Sequence, residues 1–193
     1  DSPLPDTLFT TDAMRAVFAD RAALQRMLDV ESALARAEAT VGVIPAAASV
    51  AIARHGDMRA YDEAALRDAA RNAGNLAIPL VAALTRAVAA DDPAAKGFVH
   101  WGATSQDVLD TALVLQLCDG CAFLARDLDR LAAALREQTL RHRHTVLAGR
   151  TWMQQALPTT LGLKFAGTLD AVDRHRARLA TAGAGIAVLQ FGG

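Results

Sequence analysis

His100-Trp-Gly-Ala-Thr-Ser-Gln-Asp107, with Val108-Leu-Asp-Thr-Ala-Leu-Val-Leu-Gln116 directly behind it, decides how the rest of the chain is read. Eight positions hold an imidazole, two hydroxyls, an amide and a carboxylate. The run behind them is apolar at helical spacing. Leu109, Leu113, Leu117, Leu124, Leu128, Leu131 and Leu135 form one stripe, which predicts a long helix from about Gln106 to about Thr145. Thr104 or Ser105 supplies its N-cap, because a hydroxyl there accepts a backbone N–H that has no partner inside the helix. Capping needs one hydroxyl. The other, with the free N–H groups of the first turn, makes a place for an anion. A small molecule bearing carboxylates is the natural guest.

Outward from this stretch almost every segment reads as helix. Asp20 is expected to cap a helix from Arg21 to about Val41, with Leu24, Met27, Leu28, Leu34 and Val41 near one face. Gly42 ends it, and Pro45 opens a short helix to about His55. Asp62 caps another, which stops near Gly74. Leu76 to Ala90 follows, with Pro79 tolerable in its first turn, and residues 91–97 form a loop. Gly149 lies in a break. Pro158 is expected to start a last long helix to about Ala182, and Ile186 to Phe191 is short and open to extended structure. Long apolar stripes with few loops predict an all-α protein, an elongated bundle. Some of that apolar surface is expected to meet another subunit.

Composition agrees. The chain has 193 residues, 52% hydrophobic and only 5% aromatic. The apolar mass is mostly Ala and Leu, which favour helix. A net charge of -1 gives no reason to expect nucleic acid or an anionic membrane surface as a partner. No apolar run is read as reaching the ~20 residues that span a bilayer, and Asp1-Ser-Pro-Leu-Pro5 lacks the basic start and apolar core of a signal peptide. The expected location is the cytoplasm. Cys118 and Cys121 share a Cys-x-x-Cys spacing, but inside a helix with no second ligand pair they read as reduced, packed thiols.

The stretch Val99–Gln116 resembles the first signature of the fumarase/aspartase superfamily, and within it the bacterial carboxymuconate cycloisomerases (lactonizing enzymes) more than the adenylosuccinate lyases. Gly149-Arg-Thr-Trp-Met-Gln-Gln-Ala-Leu-Pro-Thr-Thr-Leu-Gly162 resembles the second signature. The runs Phe9–Arg15, Glu31–Glu38 and Val188–Gly193 fit as well. The resemblance implies a superfamily bundle, with 1–97 as an N-terminal helical domain and 98–193 as the start of the central long-helix bundle. It implies interconversion of 3-carboxy-cis,cis-muconate and 4-carboxymuconolactone in protocatechuate catabolism, a tricarboxylate substrate, no cofactor, no metal, and a homotetramer. Family members run past this point to a Gly-Ser-Ser loop taken to carry the catalytic serine base. No such loop is present in 1–193, so this chain is expected to be an N-terminal portion that is inactive alone.

By the same resemblance His100, Thr104, Ser105 and Gln106 bind substrate, and Arg150, Thr151, Trp152, Gln154 and Asn75 complete the set. Lyases of the adenylosuccinate type carry His where Trp152 stands, and a second His near Asn75. Indole cannot titrate, so these two positions argue for the cycloisomerase. An adenylosuccinate-type lyase giving fumarate, or a non-catalytic helical scaffold, is the alternative. Each candidate also has a plain structural reading: a helix cap for Thr104 or Ser105, a packed histidine for His100, a loop between helices for residues 150–154. His142 and His144 sit two apart and flanked by arginines, which reads as a solvated helix end, not a metal site. His55 and His175 read as surface. Asp29, Glu31 and Glu38 read as solvated or paired charges.

Overall fold

A period of three to four residues buries one face of α3 (Asp20–Thr40): Leu24, Met27, Leu28, Glu31, Ser32 and Ala35 turn inward. The computed structural model that shows this describes residues 6–192. Asp1-Ser-Pro-Leu-Pro5 and Gly193 lie outside the described residues. The chain divides into two units, one up to Asp119 with the tail from Ala187, the other Gly120–Ile186.

In the first unit, α1 (Asp6–Phe9) and α2 (Asp12–Val17) precede α3, and Thr11 caps α2 through a 3.2 Å bond from the Met14 N–H. The cap of α3 is Ala19, so Asp20 lies in the first turn and makes no cap bond. Val41, expected on the buried face, is past the last turn and exposed, while Leu34 is half-buried. Pro45 stands at the N-cap of α4 (Ala46–Arg54). Asp62 Oδ1 accepts from the Ala64 and Ala65 N–H groups to start α5 (Glu63–Ala73), and Gly74 ends it at φ 65°. Few side chains other than glycine's adopt that conformation without strain. α6 (Ala77–Asp91) carries Pro79 in its first turn, as expected. Leu28, Ile52, Met58, Leu80, Leu84, Val88 and Val108 are almost wholly buried and form the core.

The last long element of this unit opens α7 (Ser105–Arg141). It ends four residues earlier than expected, in a turn at His142–His144. The Leu stripe is only partly covered: Leu109 packs on the first core, Leu128 and Leu135 on a smaller one, and Leu113, Leu124 and Leu131 are exposed. α7 also contains an 18-residue window apolar enough to cross a membrane by length and composition, with 28% of that window buried. Val108, Ala112 and Gln116 from that helix are buried in the first unit.

In the second unit the sequence reading needs its largest correction. Residues 146–160 form a hairpin, β1 (Val146–Thr151) antiparallel to β2 (Gln154–Thr160). Gly149 lies in a strand and Pro158 in its partner, opposite Ala148. A proline survives here because a two-stranded ladder has only edge strands. Gly149 faces the bulge where Ala156 and Leu157 oppose it alone. A Cβ on Gly149 would sit 2.5 Å from the Leu157 carbonyl oxygen. The final helix, α8 (Leu161–Ile186), starts three residues after Pro158, with the Thr160 hydroxyl accepting the Leu163 N–H at 3.2 Å. Gly183 lies inside α8, as does Gly185. Residues 187–192 are irregular, not extended, and Gln190 exchanges two bonds with the Thr111 hydroxyl. A small core of Ala132, Leu135 and Val172 holds α7 and α8 together, with Leu128, Phe165 and Leu169 around it.

Candidate functional site

The chain reaches α7 through a short 3-10 turn, Lys96–Phe98, and an extended Val99. His100 then takes φ 58° and Gly102 φ 69°. Two left-handed residues in three reverse the backbone and aim His100 inward. For histidine this conformation is uncommon and strained, and such strain persists where surrounding contacts fix it. The fixing contact is with Glu31. His100 Nδ1 lies 2.5 Å from Glu31 Oε1. Trp101 packs on Phe98, ring centroids 5.9 Å apart.

The α7 start is a capping box. The Asp107 carboxylate accepts the Thr104 N–H at 2.9 Å, and the Thr104 hydroxyl accepts the Gln106 N–H at 3.4 Å. Reciprocal bonds of this kind satisfy donors that the helix leaves free. Thr104 therefore does the capping. Ser105, half-buried in the first turn, makes no side-chain hydrogen bond among the described residues. Gln106 is exposed and donates to Asp110 at 2.6 Å.

Electrostatics concentrate on His100. The Glu31 hydrogen bond raises its pKa above the ordinary 6.5, burial works the other way, and the charges of Glu31, Asp107 and Glu38 add to the rise. Glu38 is itself pushed up, first by burial and then by Glu31. Two buried oxygens, Glu31 Oε2 and Asp107 Oδ1, have no partner among the described residues. The cluster thus holds three carboxylates around one imidazole, and all three favour its protonated form.

Glu31 was read as a solvated or paired charge, and the structure makes it a paired one. Its burial, with only 1% of the side chain exposed, is what the reading left out. The available signal was its position: three residues after Leu28 and four before Ala35, it falls on the buried face of α3. His55 also departs from the surface reading. It is half-buried, with Nε2 3.6 Å from Asp91 Oδ2.

Four sequence candidates, His100, Thr104, Ser105 and Gln106, fall on one turn and helix start. Asn75 serves as a cap for α6, its Oδ1 accepting the Ala77 N–H at 2.8 Å and the Ile78 N–H at 3.3 Å. The remaining four belong to the hairpin of the second unit. Arg150, Thr151, Trp152 and Gln154 are exposed, and none makes a side-chain hydrogen bond among the described residues. Trp152 and Met153 form the two-residue tip at φ 48° and 60°, with Trp152 92% and Met153 101% exposed. The expected break between helices is thus a presented tip. Among the described residues no three His, Cys, Asp or Glu side chains gather as a metal site. Cys118 and Cys121 are free thiols.

Comparison with known proteins gives these residues a setting. A family model described as Lyase matches residues 7–193. The chain is 55% identical over 188 residues to 3-carboxy-cis,cis-muconate cycloisomerase of Pseudomonas aeruginosa, covering 97% of this chain and 41% of that one. It is 42% identical to nitrosuccinate lyase of Streptomyces davaonensis, across 100% of this chain and 40% of the relative. Its fold matches the crystal structure of 3-carboxy-cis,cis-muconate lactonizing enzyme from Pseudomonas putida at a TM-score of 0.95 and 51% identity, over 100% of this chain and 44% of that one. The chain spans about two-fifths of the length of these relatives. By its sequence match from residue 7 onward and its fold, the chain belongs to the lyase family.

Proposed function

We propose that this chain contributes the first part of a cycloisomerase that interconverts 3-carboxy-cis,cis-muconate and 4-carboxymuconolactone. One observation carries the reading beyond family likeness. Thr104 and Asp107 complete the α7 cap between them, which leaves the Ser105 hydroxyl without a side-chain hydrogen bond among the described residues, five positions after a His100 whose pKa is raised. The forward reaction adds one carboxylate of the substrate across its own double bond while a proton arrives at the neighbouring carbon. Negative charge builds on a second carboxylate as this happens. Hydroxyl and N–H donors with a helix N-terminus stabilise such charge when they are held in place beforehand. Ser105, His100 and Gln106 are the donors assigned to this task. Arg150, Thr151, Trp152 and Gln154 add contacts from the hairpin, in an assembly of four copies, and Asn75 adds one from the α6 start. Trp152 offers an apolar face and an N–H but no titratable group, which suits binding and not proton transfer. The reaction needs no cofactor. The expected inactivity of residues 1–193 alone and a cytoplasmic location belong to the same reading.

A second reading, a lyase that expels a group from a succinate skeleton, draws on the 42% identity to nitrosuccinate lyase. The higher identity to the cycloisomerase ranks the readings. Calorimetry with 1,2,3-propanetricarboxylate tests whether a carboxylate site exists at all. Wild-type chain should bind it, and Ser105→Ala should bind about 10- to 100-fold more weakly, the range for a hydrogen bond to a charged group. Equal binding by both chains, or none by either, would favour a helical scaffold.

A further inference from the structure

The proposed function uses His100 as a ligand group but does not say what fixes its orientation. Glu31 sits on α3, 69 positions away in sequence, on a buried face it shares with Leu24, Met27, Leu28, Ser32 and Ala35. A carboxylate on such a face costs several kcal/mol unless a cation or donors answer it. The only described partner is His100 Nδ1, at 2.5 Å. The histidine gives up ordinary backbone geometry to reach it, at φ 58°. We infer that Glu31 is a positioning residue: its buried carboxylate holds the Nδ1–H of His100 and leaves Nε2 as the atom offered to an anionic ligand.

The chemistry follows from the two ring nitrogens. With Nδ1–H bound to a carboxylate, the neutral ring is locked in one tautomer, and the charged ring has Nε2–H as its free donor. The groups that face the ring are Glu31 and Glu38 from α3 and Asp107 from α7. All three favour the cation. The pairing therefore favours the form of His100 that donates from Nε2. That makes it an orienting group and not the acid of the reaction. A neutral amide in place of Glu31 keeps the shape but removes the charge, so Glu31→Gln separates positioning from packing.

The inference rests on the reading of His100 as a ligand group, and its test separates the two. Nitrogen-15 and proton NMR of histidine-labelled chain follows the His100 ring with pH. In the wild type the ring should titrate above the ordinary histidine value, and its neutral form should carry the proton on Nδ1. Glu31→Gln should bring the titration down and mix the tautomers. Adding 1,2,3-propanetricarboxylate should then shift the wild-type Nε2 signal and leave that of Glu31→Gln less changed. An ordinary titration or an Nε2–H neutral tautomer in the wild type overturns the pairing, and this measurement stands even where Glu31→Gln does not fold. A wild-type chain that titrates as expected but shows no Nε2 response to the anion has a structural ion pair only, which overturns the positioning role. The function reading fails separately, when the anion binds Ser105→Ala and wild type alike.

Discussion

Replacing Trp152 and Met153 together by Asn and Gly should stabilise the hairpin while weakening its function. Thr151 pairs with Gln154, so the tip has two residues, both at positive φ. That is the mirror-image turn that fits the twist of a hairpin, and Asn-Gly is the sequence it prefers. A non-glycine residue in the left-handed region costs about 1–2 kcal/mol. Two of them are relieved here. The side chains removed are 92% and 101% exposed, so almost no buried apolar area is lost. Glycine returns some entropy to the unfolded chain, which takes back about 0.5–1 kcal/mol. The net gain is about 1–3 kcal/mol. Amide hydrogen exchange at Arg150 and Gln155, which pair across the strands, reads it locally as roughly 5- to 150-fold greater protection. In a chain that retains function, the same variant should bind substrate less well, because Trp152 is the group it presents. Unchanged or faster exchange would refute the reasoning. It would mean that the indole and thioether make contacts that hold the turn, and that no strain is stored there for function.

Leu28→Ala, at a site with 0% exposure, should cost about 2–5 kcal/mol, read as a lower urea midpoint with an unchanged slope. Gly162→Ala should cost about 1–3 kcal/mol, because its Cβ would lie 2.7 Å from the Thr139 carbonyl oxygen and 2.8 Å from Arg143; exchange at the start of α8 should speed up. The His100–Glu31 pair gives stability a pH dependence of definite sign. The folded pKa of His100 is above 6.5, so the contribution is complete below 6.5 and is lost as pH rises through the folded value. Urea midpoints should therefore fall from neutral to alkaline pH in the wild type and fall less in Glu31→Gln.

Helical periodicity made most of the fold legible. Asp62, Gly74, Pro45 and Pro79 each act locally, through a cap, a left-handed stop or a missing N–H, and each stands where its chemistry placed it. The hairpin was not legible. Its strands are exposed on most positions, so no alternation of apolar and polar residues marks them, and Trp-Met is not a turn sequence. Pro158 misled because a proline near a helix start is also tolerated on an edge strand. In the site, a cap at Thr104 or Ser105 with one hydroxyl to spare could be read from spacing, but the Asp107 half of the capping box was not. The partner of His100 could not, because a contact across 69 positions leaves no local pattern beyond one charge on an apolar face.

The central claim is that residues 1–193 supply a working first part of a carboxymuconate cycloisomerase. The direct test joins them to the remainder of the Pseudomonas putida lactonizing enzyme, to which the chain matches over 100% of its length, and follows 3-carboxy-cis,cis-muconate by its ultraviolet absorbance. The chimera should consume it, and Ser105→Ala should slow that consumption about 10- to 100-fold. A folded chimera that leaves this substrate untouched while cleaving nitrosuccinate, or releasing fumarate from adenylosuccinate, would contradict the account.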